Sequence, residues 1–584
     1  MSVFFIPGVS EHEQVTVEEL RDVAAKRNIT IPSKDEGDFL TLLRAADLAV
    51  KHVDTLPPYV DHRLAPDGVS GSVGLAKLRP YTKPLQEDNP LNAWSHKCNI
   101  ELPGAAGPLS GRSVAIKDNM SVAGLPITIG TFAEFLSPEG NFPISEIDAS
   151  IVKRVLEAGG TVAGTAVCEN YSAAALSYSP ATGPVHNPWV KGYATGGSSS
   201  GCAALLAATL KKKMSQGQNG SMSLDDADWE SGIELAIGGD QGGSIRIPAA
   251  YSGIYGLKPT FGLCPYTGIA SLHPMMDHCG PMATSVDDIA ILLSVLAGYD
   301  GLDHRMTPET PLREKVKDYL KILTDKAEEM KAKEQWTPHA AGRGLKVGIL
   351  KEGWQIPTLT DEMASIVRNA ADRFLSLGAE VEEVSVPLHM DGPLIWTAAT
   401  RPKMGPFGTA NATPTALGYS LPSLKPPPIN QRWLELMSHY NPAMVNVVLS
   451  SDYLSSKYHL ATSAKAHSHV LQLQAAYDAA LEKFDVLITP VTPTVAPAHP
   501  PSEYGVMDRI KLAAGNTANT CPFNVTGHPA MSIPVGWGSV TSDGEVIAGK
   551  KLPVGMQIIG KRWDEETVLY AASVWEVGGF GLQN

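Results

Sequence analysis

Three features of this sequence predict a layered α/β fold, with helices on both faces of a central sheet. Short apolar runs read as strands, such as SVAIK, ELAIGGD, FDVLITP, AMSIPV and LPVGMQIIG. Helical patterns stand between them, such as IVKRVLEAG and DEMASIVRNAADRFLSLG. Glycine-rich turns mark the joins.

Taken in chain order, the first structured stretch lies near residues 16 to 53. Thr16 followed by Glu19 has the spacing of a capping box, and FLTLLRAADLAV carries apolar residues at helical period. A small N-terminal helical domain is therefore expected over residues 1–65. The following stretch is rich in Pro and Gly without a sustained period, and 66–100 reads as a linker. The α/β region, 101–584, then begins. IVKRVLEAGGTVAGTAV predicts helix, glycine break and strand; GCAALLAATLKKK predicts a helix apolar on most sides; GLKVGIL, DEMASIVRNAADRFLSLG and AEVEEVSVP predict strand, helix and strand. Residues 211–231 are polar and aperiodic and read as a surface insertion. Residues 390–430, dense in Pro, Gly and Thr, read as a cap or loop over a site.

The composition excludes several function classes. The chain has 584 residues, 43% hydrophobic and 18% charged, a globular balance with enough apolar surface for a sizeable core. Its formal charge of −14 argues against nucleic acid as a partner, which would need cations to neutralise phosphates. No apolar run approaches the roughly 20 residues of a membrane span, so no membrane association is expected. The start lacks the basic lead and small-residue cleavage site of a secretory signal. Cysteines stand singly at Cys98, Cys168, Cys202, Cys264, Cys279 and Cys521, which suggests buried thiols, a cytoplasmic setting and no metal.

Three segments carry chemistry. In IGGDQGGSIRIPA a strand runs into glycines and ends at Ser244. Consecutive N–H groups of Gln241, Gly242, Gly243 and Ser244 can converge on one oxygen, and a serine there is placed as a nucleophile. Such a loop equally suits a tight turn with a capping serine. Position 246 is Arg rather than the Gly of the G-x-S-x-G elbow, which disfavours a histidine-based α/β-hydrolase. In GGSSSGCAALL, Gly197 is followed by Ser198, Ser199 and Ser200 and then by a helix. Hydroxyls there can cap the helix or face an anion. Lys117 closes an apolar strand, where desolvation favours a neutral amine able to act as a base. On its own, it is more simply a surface lysine at a strand end.

Together, Lys117, Ser198 and Ser244, with GGSIRIPA and the tail segments CPFNVTGHPAMSIPVG and LPVGMQIIGKRWDEET, resemble the amidase signature family. The likeness runs from about Ser113 to Leu569. VCEN, SPATGPVHNPW and KPTFGLCPYTG are most similar to the enantioselective amidases, which carry an added N-terminal helical domain. The resemblance implies a mixed central sheet and a Ser–Ser–Lys triad. Ser244 would be the nucleophile, Ser198 a proton relay on a cis peptide bond, and Lys117 the base. The amides of Gln241 to Ser244 would form the oxyanion hole, with Gly197 and Ser199 in support. The stretch from Ser198 to Ser244 is longer than the family's usual separation, and the 211–231 insertion accounts for the excess.

Other residues read as accessory. Asp240 and Arg246 flank Ser244 as a structural ion pair. His273 and His278 lack metal-site spacing. Tyr171 and Phe523 are candidates for the acyl pocket. The expected reaction is hydrolysis of a small carboxamide to an acid and ammonia or an amine, with no cofactor. The rivals are a carbamate (urethane) or aryl acylamide hydrolase on the same triad, one component of a glutamine-dependent amidotransferase, and a silent binding protein. The N-terminal helices are candidates for a homodimer contact.

Overall fold

The computed structural model describes residues 15–57, 59–66, 79–217, 232–410, 421, 424–542 and 545–579. The chain divides into two compact units, Met1–Asp61 and His62–Asn584.

The first unit holds helices α1 (Val17–Ala25) and α2 (Glu36–Thr55). Thr16 caps α1 through a reciprocal box with Glu19, which satisfies two N–H groups that the first helical turn leaves without partners. Arg21 pairs with Glu36 at 2.6 Å and ties the start of α2 to α1.

Among the described residues, the second unit is built on one 12-stranded mixed sheet. Its strands are β1 (Tyr81–Thr82), β2 (Trp94–Ile100), β3 (Ser113–Lys117), β4 (Thr161–Ala166), β5 (Leu235–Asp240), β6 (Tyr255–Lys258), β7 (His278–Ala283), β8 (Lys346–Leu350), β9 (Glu380–Val384), β10 (Val486–Pro490), β11 (Ala530–Ser542) and β12 (Glu545–Gly560). They lie in the order β1-β2-β4-β3-β5-β7-β6-β11-β12-β10-β8-β9. β3 runs parallel to both β4 and β5, whereas β5, β7, β6, β11 and β12 follow one another antiparallel. The stretch read as a linker thus contains β2, which pairs with β4 inside the sheet.

Strand alternation decides which residues meet the helices. Side chains of successive strand residues point to opposite faces. Val114 and Ile116 of β3 join Leu235 and Ile237 of β5 in one apolar core, packed with Ile151, Val152 and Val155 of α3 (Ser150–Glu157). Ala115 and Ala236 face the other way, into a second core with Cys202 to Ala208 of α4 (Ser200–Gly217). Small residues on that face let α4 lie close to the sheet. Lys117 has the parity of Ala115 and so belongs to the α4 side.

One local expectation changes in part. Residues 211–217 continue α4 rather than forming an aperiodic insertion, since Lys and Gln are good helix formers once a helix is nucleated; 218–231 lie outside the described residues. The 390–430 region is helical over Gly392–Gly408, with Pro402 and Pro406 inside the helix; 411–420 lie outside the described residues. Among the described residues, no helix is long and apolar enough to cross a membrane.

Candidate active site

β3 delivers Lys117 to the point where α4 begins. Its Nζ lies 2.8 Å from Ser198 Oγ, and both side chains are fully buried. The Gly197–Ser198 peptide is cis. Burial is the main influence on the Lys117 amine and lowers its pKa below the ordinary lysine value of 10.5, against the pull of nearby Asp118 and Asp240. Ser199 stitches the start of α4 to β5: its Oγ donates to Gly239 O at 3.1 Å and accepts from Gly239 N–H at 3.2 Å. Gly197 is tightly enclosed, since a Cβ there would stand 2.1 Å from Leu176 O.

Ser244 sits in the loop between β5 and α5 (Arg246–Ser252). The backbone joins it to the first segment, because Ser199 N–H donates to Ser244 O at 3.3 Å. Ser244 keeps 8% exposure while Lys117 and Ser198 have none. It is therefore the member of the set that a ligand can reach.

Asp240 organises this loop. Its carboxylate accepts the N–H groups of Gly243 at 2.7 Å and Ile245 at 3.1 Å, and pairs with the Arg246 guanidinium at 2.9 Å. Burial alone would raise the Asp240 carboxyl, but the Arg246 charge and hydrogen bonds hold it well below the usual carboxylate range. The bond from Gly243 corrects the expected oxyanion hole. That N–H is spent on Asp240, so the candidate donors are the amides of Gln241, Gly242 and Ser244.

Arg246 also reaches into the tail segments: it donates to Thr520 O at 2.9 Å, Asn524 Oδ1 at 2.7 Å and Gln557 Oε1 at 2.7 Å. Thr520 Oγ1 in turn donates to Gly242 O at 2.5 Å. The loop is thereby fastened to CPFNVTG and VGMQIIG, hundreds of residues away in sequence.

The two pocket candidates fare differently. Tyr171 is buried, with its hydroxyl accepting from Trp433 Nε1 at 3.2 Å. Phe523 packs in the interior. It is fully buried among rings, 4.7 Å from Tyr477 and 6.1 Å from His389 between centroids. An apolar side chain on the short helix Pro522–Thr526 packs inward, while Asn524 beside it serves Arg246. His273 and His278 are both buried side chains, and no group of His, Cys, Asp and Glu among the described residues is arranged to hold a metal ion.

Trp396 and Glu169 were not legible as site residues. Trp396, on the helix Gly392–Gly408, donates to Gln241 O at 3.3 Å and lies over Gly242. It falls in the 390–430 stretch read as a cap or loop over a site, though no spacing in the sequence singles it out. Glu169 lies against Gly197 and Ser198, and its position within VCEN was the only available signal. A cavity of about 860 Å³ elsewhere is walled by Phe261, His273, Phe407 and Trp563 among others. Volume would favour it, but its walls include none of Lys117, Ser198 and Ser244.

The mixed sheet presents a buried lysine, a serine at its amine and a second serine on a glycine loop. The chain belongs to the amidase family, whose model matches residues 92–217 and 231–569. It is 35% identical over 506 residues to an enantioselective amidase of Rhodococcus rhodochrous, covering 85% of each chain. It is 31% identical over 483 residues to a glutamyl-tRNA(Gln) amidotransferase component of Methanosarcina mazei, covering 82% of this chain and 86% of that one. Its fold is similar to that of the peptide amidase of Stenotrophomonas maltophilia, with a TM-score of 0.56 at 24% identity over 80% of this chain and 83% of that one.

Proposed function

We propose that this protein hydrolyses a small carboxamide through an acyl-enzyme on Ser244. The observation that carries the proposal is the 2.8 Å contact between Lys117 Nζ and Ser198 Oγ in full burial. A neutral amine there accepts the Ser198 proton, and Ser198 takes the proton of Ser244 as its Oγ bonds to the carbonyl carbon. The amides of Gln241, Gly242 and Ser244 hold the resulting oxyanion. When the intermediate collapses, the C–N bond breaks, and the nitrogen receives the proton back from Lys117 through Ser198. Water then attacks the ester by the same route, releasing the acid and restoring Ser244.

A fluorophosphonate should label Ser244, and Ser244→Ala should lower amidase activity below about a thousandth of wild type with unchanged thermal unfolding. Residual activity above that level in a folded variant would remove Ser244 from the role of nucleophile.

The likeness to the amidotransferase component favours a second reading, in which the same residues release ammonia from glutamine. Glutaminase activity of the lone chain would support it. Turnover of ethyl carbamate or an aryl acylamide in preference to a simple amide would redirect the acyl assignment.

We also propose that the chain forms a homodimer through its N-terminal helices. α2 has 20 residues and none is buried; Phe39, Leu42, Val50 and Val53 make an exposed apolar stripe along it. Light scattering should give a dimer mass that Phe39→Glu with Val50→Glu reduces to a monomer mass. A monomeric wild type would overturn this.

A further inference from the structure

Glu169 is a fully buried carboxyl to which the chemistry above gives no task. It grips the Ser198 turn from several directions. Its N–H donates to Ser198 O at 3.1 Å. Its Cγ lies 2.6 Å from where a Gly197 Cβ would stand. Its Oε1 accepts from Ser200 Oγ at 3.4 Å, and its Oε2 from Ser179 Oγ at 2.7 Å. The ionisable groups that face it are Lys117 from β3 and Tyr178 from its own connecting loop.

We propose that Glu169 is a positioning residue for Ser198, clamping the turn from Gly197 to Ser200 so that the Ser198 hydroxyl stays on Lys117. The proposal rests on the Ser198–Lys117 relay described above. The side chain does this as a neutral acid. Burial pushes its carboxyl up to about 8, while the bonds from Ser179 and Ser200 and the attraction of Lys117 pull the other way. A neutral acid beside the lysine leaves the amine free to accept a proton. An ionised one attracts a proton onto the amine and raises the pH at which Lys117 becomes a base.

The neutral state has an isostere in glutamine. The rate of fluorophosphonate labelling of the full-length chain is to be measured between about pH 6 and 10, on both sides of the raised Glu169 value of about 8. Wild type should label at Ser244, and Lys117→Ala should slow that labelling. Glu169→Gln should label within about threefold of wild type near neutrality, because the amide keeps the size and shape of the neutral acid against Gly197. Glu169→Ala should be slowed at least about tenfold, because nothing then fills the space against Gly197. A folded Glu169→Ala that labels at the wild-type rate would overturn the proposal. So would a folded Glu169→Gln that labels at least about tenfold more slowly than wild type near neutrality, which decides the matter even if the alanine variant does not fold. Wild type that fails to label at Ser244, or labels independently of Lys117, would remove the relay itself. Labelling that depends on Lys117 but not on Glu169 would remove only the clamp.

Discussion

Arg246 and Asp240 form an ion pair with no solvent exposure on either side chain, at the foot of the loop that carries Ser244. The pair is held on both sides. Asp240 takes backbone N–H groups of the loop, and Arg246 takes oxygens from Thr520, Asn524 and Gln557. Removing one partner leaves a buried charge uncompensated. Arg246→Met should therefore cost about 3–5 kcal/mol of stability and abolish activity, read from denaturant unfolding and turnover. The folded carboxyl is depressed below its unfolded value, so its contribution is present above the ordinary carboxylate value of 3.8 and is lost as pH falls through the folded value. Above that range, a wild-type stability that does not exceed the variant's would contradict the pair's role.

Burying the Lys117 amine carries a stability cost. Its folded pKa is lowered by burial, so between the folded and unfolded values the unfolded chain binds more protons. Stability therefore rises with pH through that interval. Lys117→Met removes the buried amine and should equal or exceed wild type in melting temperature near neutrality, while losing at least about a thousandfold in activity. In wild type, activity should rise with pH as the amine loses its proton, at a pH below the ordinary lysine value of 10.5. A clearly less stable methionine variant would show that the lysine serves the fold.

The same residue should separate amides from esters. An amide nitrogen leaves only with a proton, which the proposed relay would return from Lys117 through Ser198, whereas an alkoxide needs less help. Lys117→Ala should reduce hydrolysis of an amide more than that of the matched ester, by about tenfold or more in kcat/KM. Equal losses on both would assign Lys117 a structural role.

Phe523 should govern stability and not substrate choice. It is sealed between Tyr477 and His389, so Phe523→Ala should cost about 3–5 kcal/mol. The milder Phe523→Leu should leave the ranking of substrates unchanged. A changed ranking with normal unfolding would return Phe523 to the pocket.

An acyl-enzyme can be intercepted. Hydroxylamine is a stronger nucleophile than water and small enough to follow it, so its presence should divert product to a hydroxamic acid. Two amides with one acyl group and different leaving amines should give the same ratio of hydroxamate to acid, because both pass through one ester on Ser244. Ratios that follow the leaving group would sink the covalent route.

Much was legible locally because it rests on short-range rules. The Thr16–Glu19 cap, the strand ending at Lys117, the helix after Ser198 and the glycine loop before Ser244 each depend on residues within a turn or a strand of one another. The alternation of strands and helices likewise determined a covered sheet. What lay beyond reach was whatever joins distant segments. Strand parity placed Lys117 on the α4 face, but only the β3–β5 pairing and the seating of α4 brought its amine to 2.8 Å from Ser198. The spending of the Gly243 N–H on Asp240 depends on loop geometry that composition does not encode. Trp396 over Gly242, Phe523 within its ring cluster and Arg246 in the grip of Asn524 and Gln557 all depend on packing between elements far apart in the chain. Local sequence sets which backbone forms and which face is apolar; the partner across a packed interface is chosen by the whole fold, because burial obliges each polar group to find whichever complement the tertiary arrangement brings within reach.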